Sequence, residues 1–314
     1  MAIKDVDQSN LIVVANNIVK LYGDVRALNQ FSIKIRKGEF FGLLGPNGSG
    51  KTTSIHVLAT LISPSNGEIR IADNDPSKNP IEIRKKIGLV FQETTVDRSL
   101  TLMQNLHFAG QLHGLSKAAI KDRSQHLLGL FGLEKHVDRP IGQLSGGMRR
   151  AVDIIRGIIH EPEILILDEP TIGLDLPNRL KIWKFIEDLR QKSGLTVLLT
   201  THYLEEAEPC DQVAFIDSGT IIKQGNPKSL ITDLGDYIVE IQAPAATKII
   251  IKTLLGEFLD GGGISYFRCL QKDLNSLTDL QKENKKEIEN WRIRKPNLND
   301  VFLWTTNNNS TDYK

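Results

Sequence analysis

Short apolar segments separated by turn residues mark the start of the chain. Residues 11–14 form one apolar run, and residues 31–36 alternate apolar with polar side chains, the period of a half-buried strand. Residues 40–44 are apolar throughout and end at Gly45. A continuous apolar run of this length predicts a central strand that is covered on both faces.

Helical patterns follow in the middle of the chain. Thr101 and Gln104 have the spacing of a capping box, which predicts a helix that ends near Gly114. Ser116 can cap a second helix, because apolar side chains then recur on one face as far as Phe131. These two helices predict a helical insertion that includes residues 101–133.

Strand-like segments return after this insertion. Residues 164–167 and 197–199 are apolar without alternation, as expected of parallel strands covered on both faces. A helix-forming segment at residues 179–190 lies between them, and residues 213–222 have the pattern of a hairpin. Strands that alternate with helices predict an α/β fold with a mainly parallel sheet.

The pattern changes after about Gly235, where short strands and helices alternate. We expect a main domain at residues 11–235 and a small α+β domain at residues 236–304. The charged stretch 281–290 is interpreted as one face of a solvated helix, and residues 305–314 as a polar, frayed tail. Strands are predicted in this second domain at residues 237–241, 264–267 and 291–293.

Composition and charge exclude several classes of protein. The 314 residues are 40% hydrophobic and 25% charged, and the net charge of +1 gives no reason to expect a nucleic-acid partner. No apolar run is long enough for a transmembrane helix, and the polar N-terminus lacks the apolar core of a signal peptide. The two cysteines, Cys210 and Cys269, are expected to be reduced, structural thiols of a cytoplasmic protein.

A glycine-rich segment after the strand at residues 40–44 matches the P-loop pattern G-x-x-x-x-G-K-[ST]. Its glycines let backbone N–H groups surround phosphate oxygens, and a helix that begins at its end adds a positive dipole. Lys51 would reach the β- and γ-phosphates, and the Thr52 hydroxyl would ligate Mg²⁺. The predicted nucleotide-binding residues are Gly45, Pro46, Asn47, Gly48, Ser49, Gly50, Lys51, Thr52 and Thr53.

Two carboxylates follow the apolar run at residues 164–167, as in a Walker B strand. Ligands bind at the carboxyl ends of strands in open α/β sheets, so Asp168 and Glu169 would stand beside the phosphates. Asp168 is predicted to hold Mg²⁺, directly or through water. Glu169 is predicted to polarise the attacking water as general base.

A third motif, Leu144-Ser145-Gly146-Gly147-Met148, resembles the LSGG signature of the ABC ATPases. It lies between the helical insertion and the Walker B strand, which is where that family places it. A hydroxyl and two glycines ahead of a helix form an anion site. The resemblance covers about residues 11–230 and implies that Ser145, Gly146 and Gly147 contact the γ-phosphate of ATP bound by a second subunit.

The resemblance assigns roles to four more residues. Tyr22 would stack on adenine, and Gln92 would contact Mg²⁺ or the attacking water and sense a membrane partner. Asp175 matches the aspartate of the D-loop, and His202 matches the switch histidine, which hydrogen-bonds the γ-phosphate. The implied catalytic residues are therefore Glu169, His202 and Gln92, and the implied metal ligands are Thr52, Gln92 and Asp168.

The implied fold is that of the P-loop NTPases of the ABC type, with ATP and Mg²⁺ as ligands. It has a mixed parallel core sheet, an antiparallel β subdomain and a helical subdomain, which the resemblance places at about residues 93–155. Here the small C-terminal α+β domain follows. One P-loop and one signature per chain imply that two chains, identical or paired, form the composite sites.

Three segments resemble the ATPase subunits of daunorubicin-resistance-type exporters of the ABC-2 group: residues 144–150, 201–208 and 296–303. That resemblance implies export of a small molecule, drug or lipid-like substrate through a separate integral-membrane permease. The chain would then be peripheral on the inner face of the cell membrane. An ABC importer, a soluble ABC ATPase and a regulatory nucleotide-binding module are the alternatives.

Overall fold

The computed structural model describes residues 10–284 and 287–310, and the described chain forms two compact units. The first contains the described residues up to Tyr203 together with Cys210–Ile221. The second contains Leu204–Pro209 and the described residues from Ile222 onward. Among these described residues, none of the helices combines the length and apolar character that a membrane span requires.

The first unit consists of two sheets with helices around them. Its strands are β1 Leu11–Tyr22, β2 Val25–Arg36, β3 Phe40–Leu44, β4 Asn66–Ile71, β5 Ile87–Val90, β6 Ile164–Asp168, β7 Thr196–Thr201 and β8 Gln212–Asp217, and β9 Thr220–Gly225 begins in it. Its helices are α1 Lys51–Leu58, α2 Pro80–Lys85, α3 Leu102–Leu112, α4 Lys117–Phe131, α5 Gly146–Ile158 and α6 Leu176–Ser193.

The larger sheet has the strand order β5-β6-β7-β3-β8-β9, and the pairs from β5 to β8 are parallel. Every residue of β3, β6 and β7 is buried, as the unalternating apolar runs predicted. Because parallel strands end at the same edge, β5, β6, β7 and β3 bring four loops together there. The smaller sheet, β2-β1-β4, is antiparallel.

The two caps predicted for the helical insertion are confirmed. The Thr101 hydroxyl accepts from the backbone N–H of Gln104 at 3.2 Å, and the Gln104 side chain accepts from the Thr101 N–H at 2.8 Å. Ser116 accepts from the Ala119 N–H at 3.2 Å at the start of α4, and Gly132 ends that helix with φ 67°. The caps fix where both helices begin.

The second unit is a four-stranded antiparallel sheet with helices. Its elements are α7 Pro227–Thr232, β10 Tyr237–Gln242, α8 Ala245–Leu255, β11 Phe258–Gly261, β12 Ile264–Cys269, α9 Leu274–Glu283, β13 Asn290–Arg294 and α10 Leu298–Ser310. The strand order is β11-β12-β10-β13. Val239, Ile251, Phe267 and Leu277 are fully buried in its core. Burial also raises the pKa of the Cys269 thiol to about 11.

Two expectations for this part of the chain are wrong. The charged stretch 281–290 is not one helix: α9 ends at Glu283, and Asn290 begins β13, where it pairs with Gln242. Pairing with β10 overrides the local charge pattern. Helix α10 also continues to Ser310, past Thr305, where a frayed tail was expected. Thr305 bonds back to the Val301 carbonyl at 2.7 Å; residues 311–314 lie outside the described residues.

Candidate functional site

The loop between β3 and α1 forms a cradle that only glycine permits at two positions. A Cβ on Gly45 would lie 2.3 Å from the Ile216 carbonyl oxygen, and a Cβ on Gly50 would lie 2.7 Å from that of Ala27. Gly50 also has φ 109°, in the left-handed region, and stands at the N-cap of α1 without a side-chain cap. The first N–H groups of α1 are therefore left to other acceptors.

One further polar atom in this loop has no protein partner. The Ser49 hydroxyl is buried and makes no hydrogen bond. A buried hydroxyl without a partner is costly, and a ligand oxygen beside it would satisfy it. The orphaned hydroxyl and the uncapped helix end fit a phosphate group, which offers several acceptor oxygens. Pro46, Asn47, Gly48 and Thr52 lie exposed around it, and Thr53 is half-buried.

Lys51, the first residue of α1, points back into this loop. Its Nζ donates to the Gly45 carbonyl at 2.7 Å and to the Pro46 carbonyl at 3.0 Å, and lies 3.5 Å from Glu169 Oε1. Burial lowers the pKa of Lys51, while the Glu169 carboxylate acts in the opposite direction. Two backbone carbonyl oxygens of the loop and one carboxylate oxygen thus hold the ammonium beside the loop.

Two carboxylates stand at the end of β6. Asp168 Oδ1 accepts from the Thr200 hydroxyl at 2.5 Å, and both side chains are buried. Glu169 has a positive φ of 44°, unusual for a residue with a side chain. Its N–H donates to the Thr200 carbonyl at 3.0 Å, which fixes the turn beside β7.

Glu169 is the centre of the charged cluster. Its Oε2 lies 3.1 Å from His202 Nδ1, and its Oε1 faces Lys51. The carboxylate is nearly buried, whereas the His202 side chain remains 30% exposed. The structure therefore joins three predicted site residues from β3–α1, β6 and β7 in one cluster. In such a cluster the carboxylate can take a proton from water. The ammonium and the imidazole can bind an anion beside it.

Four other predicted residues lie at exposed positions outside this cluster. Ser145 caps α5 and accepts from the Met148 N–H at 3.2 Å, and Asp175 caps α6 and accepts from the Asn178 N–H at 3.0 Å. Gln92 is exposed after β5. Tyr22 ends β1 with 49% exposure. The structure thus brings Lys51, Asp168, Glu169 and His202 together and leaves these four at the surface.

The fold and these motifs match known proteins. A family model described as "ABC transporter" matches residues 28–172. The doxorubicin resistance ATP-binding protein of Mycobacterium tuberculosis is 43% identical over 95% of this chain and 94% of its own length. The chain belongs to the ABC transporter family.

Two other proteins extend this similarity. The Nod factor export ATP-binding protein I of Ralstonia nicotianae is 36% identical over 97% of this chain and 96% of its own length. The dimeric post-hydrolysis structure of the ATP-binding cassette MJ0796, bound to ADP and Pi, has a TM-score of 0.63 and 28% identity. It covers 68% of this chain and 98% of MJ0796. The predicted fold class and family are confirmed, and the chain is an ATPase.

The sequence did not single out Arg150 as a site residue of this ABC ATPase, although it follows the signature motif. Its guanidinium is buried and donates to the Pro170 carbonyl at 2.5 Å and to the Phe91 carbonyl at 2.6 Å. It also reaches the Asp168 carbonyl at 3.4 Å and Asp153 Oδ2 at 3.4 Å. One side chain of α5 therefore ties the end of β5, just before Gln92, to the end of β6.

Thr200 and Tyr203 were also missed as site residues. Thr200 holds Asp168 through its hydroxyl, and Tyr203 lies against His202 with 4.1 Å between ring centroids. The only signal in the sequence was their position beside His202, at the end of a buried strand. Thr200 contacts Asp168, which is distant in the sequence. Tyr203 contacts its neighbour His202, but the orientation of the two rings depends on the fold.

Proposed function

We propose that the chain is the ATP-hydrolysing subunit of an exporter, and that it drives a separate membrane-spanning permease of the ABC-2 type. The observation that carries this is similarity along nearly the whole chain to ATP-binding proteins of doxorubicin resistance and Nod factor export. Those names suggest a small-molecule, drug or lipid-like cargo. The subunit would be cytoplasmic and held at the inner face of the membrane by the permease.

Within this proposal, Glu169 is the general base for the attacking water. Its carboxylate lies nearly buried at the end of β6, flanked by Lys51 and His202 at 3.5 Å and 3.1 Å. Lys51 would neutralise the charge that develops on the phosphates, and His202 would hydrogen-bond the γ-phosphate. Gln92 would orient the water from the end of β5.

Mg²⁺ fits the oxygen groups near the phosphate loop. Within the described part of the chain, no three His, Cys, Asp or Glu side chains cluster as a metal site. Mg²⁺ usually takes one or two protein oxygens and leaves its other positions to phosphates and water. The Thr52 hydroxyl, the Asp168 carboxylate and the Gln92 amide are the proposed ligands. When bound, the ion would offset negative charge on the phosphates.

The nucleotide would be shared between two chains. Ser145 and Gly146 lie exposed at the start of α5, beside half-buried Gly147. Helix α5 has no acidic residue in its first turn. Such a helix end accepts an anion from outside. A solved dimer of the MJ0796 cassette supports two chains as the functional unit. In the proposed arrangement, Asp175 would lie near the dimer contact and Tyr22 would stack on adenine. The accessory domain at residues 236–304 stays a prediction, as does the main domain at 11–235.

The permease is tested by a pull-down of the tagged chain from membranes of its own host in mild detergent, followed by mass spectrometry. We expect a stoichiometric protein with several membrane spans. A chain with an inactive Lys51→Ala phosphate loop is the matched control, because it should still bind the permease. Recovery of ribosomal or DNA-bound proteins would favour a soluble ATPase instead. Recovery of a substrate-binding protein together with the permease would favour an importer.

A further inference from the structure

Tyr203 makes the closest ring contact of His202. The two ring centroids lie 4.1 Å apart, and the ring planes are tilted by 39°. His202 in turn places Nδ1 3.1 Å from Glu169 Oε2. Since the His202 side chain is 30% exposed, its position depends on few neighbours. An aromatic ring at this distance restricts the imidazole to orientations that face the carboxylate.

Two contacts hold Tyr203 in place, one through its backbone and one through its ring. Its backbone N–H donates to the Thr201 hydroxyl at 2.9 Å, which closes the turn after β7. The Arg179 guanidinium lies 4.8 Å from the centroid of the Tyr203 ring, within cation–π range. Both Tyr203 and Arg179 are half-buried, where such a contact is stronger than at a fully exposed site.

Arg179 belongs to the first turn of α6, which also meets the signature helix. Its N–H donates to the Asp175 carbonyl at 3.0 Å. Its neighbour Asn178 packs so closely on the signature that a Cβ on Gly147 would lie 2.5 Å from Asn178 Cγ. The first turn of α6 therefore touches both the signature of this chain and the residue that supports His202.

We propose that Tyr203 is a positioning residue for His202, and that Arg179 holds the Tyr203 ring in the orientation this requires. Misplacement of a reacting group by about 1 Å can cost on the order of 100-fold in rate, so a lost support should slow turnover without weakening substrate binding. Tyr203 acts through its ring face, and its hydroxyl is not required.

The first test compares Tyr203→Phe with Tyr203→Leu. Phenylalanine keeps the ring, so kcat for ATP hydrolysis should stay within about twofold of the original protein. Leucine keeps apolar bulk and loses the ring, so kcat should fall about tenfold while KM changes less than about twofold. An unchanged kcat in Tyr203→Leu, or an equal fall in both variants, would overturn the proposal.

A spectroscopic readout separates positioning from general stability. The Hε1 resonance of His202 is identified by its absence in His202→Gln, among the seven histidines of the chain. The neighbouring ring should shift this resonance, and the shift should survive in Tyr203→Phe and disappear in Tyr203→Leu. A resonance that does not move in Tyr203→Leu would contradict the ring contact.

Arg179 is tested with Arg179→Lys and Arg179→Met. Lysine keeps a cation, so its kcat should exceed that of the methionine variant, for which we expect a fall of about threefold and a partial loss of the His202 shift. Tyr237→Leu is the matched control, because it removes a similar cation–π contact with Lys295, at 4.1 Å, in the second unit. That control should leave kcat and the His202 resonance unchanged; if it lowers kcat as Tyr203→Leu does, the proposal fails.

Discussion

The Nζ of Lys51 lies 3.5 Å from Oε1 of Glu169, so the lysine of the phosphate loop and the carboxylate after β6 form a buried ion pair. Each side chain is less than 10% exposed. The fold thus already holds together the two groups that we propose to act at the γ-phosphate. Removing either charge leaves the other buried with one partner fewer, which lowers the stability of the fold around the site.

Glu169→Gln should lower the rate of ATP hydrolysis by about 100-fold or more, because an amide cannot accept the proton of the attacking water. ATP binding should survive, since Lys51 keeps its bonds to the Gly45 and Pro46 carbonyls. Gel filtration with ATP should then show an accumulated dimer. Glu163→Gln, just before β6, is the control and should hydrolyse ATP normally. Near-normal turnover in Glu169→Gln would remove Glu169 from this role.

Mixing Lys51→Ala chains with Ser145→Ala chains should restore ATP hydrolysis that neither variant has alone. One composite site of the mixed dimer then combines an intact phosphate loop with an intact signature. Activity is measured after co-incubation of differently tagged chains and purification through both tags. The control pairs Lys51→Ala with a Lys51→Ala/Ser145→Ala chain, which offers no intact phosphate loop. Restoration in that control would contradict a site shared between chains.

Arg150→Met should destabilise the first unit by about 3 kcal/mol, because it leaves several carbonyls buried without their donor and removes one of two arginines that pair with Asp153. Turnover should also fall, since Arg150 fastens the Phe91 carbonyl beside Gln92. Urea unfolding and steady-state kinetics measure the two effects. Arg156→Met is the control: this arginine also pairs with Asp153, at 3.3 Å, but is 23% exposed and should matter less. Equal losses in both variants would argue against a special role for Arg150.

The stacked pair His113 and His160 should make stability depend on pH. Burial, together with the charge of His113, lowers the pKa of His160 to about 4, while the rings lie 3.6 Å apart. In the unfolded chain His160 binds a proton near its ordinary pKa of 6.5, whereas in the folded chain it does so only near pH 4. The contribution of His160 to the free energy of unfolding is therefore full above pH 6.5 and decreases as pH falls from 6.5 towards 4. The loss is at most about 3 kcal/mol.

His160→Phe keeps a ring for the stack and removes this titration, so the free energy of unfolding should change less between pH 6.5 and 4. Urea unfolding at several pH values measures this slope. His126→Gln, at an exposed position of α4, is the control and should keep the original slope. A slope in His160→Phe as steep as in the original protein would show that other groups cause the loss.

Tyr22→Ala should weaken ATP binding by about 1–3 kcal/mol, the range of base–aromatic stacking. Tyr22 ends β1 with 49% exposure, so its ring can present a face to a planar base. Tyr22→Phe and Tyr22→Trp keep the ring and should bind nearly as well. Titration with a fluorescent ATP analogue measures these affinities. Equal weakening in all three variants would indicate a structural role for the tyrosine.

Patterns confined to a few neighbouring residues predicted local structure well. The capping box of Thr101 and Gln104, and the buried strands that precede Gly45 and Asp168, depend only on residues close in the chain. Strand β1 was underestimated: the apolar run stops at residue 14, whereas the strand continues to Tyr22. The prediction relied on the apolar run, which polar Asn16 and Asn17 interrupt; the strand passes an irregularity near Asn17, which has φ 50°, and continues.

The sequence by itself determined the family, the phosphate loop and the identity of the charged groups, because each of these is a property of consecutive residues. Only the tertiary structure decided which groups meet. Glu169 contacts Lys51 and His202, and Arg150 contacts the carbonyls of Phe91 and Pro170, through strands that lie far apart in the chain. The order of strands in a sheet depends on packing over its whole surface, and no local pattern contains that information.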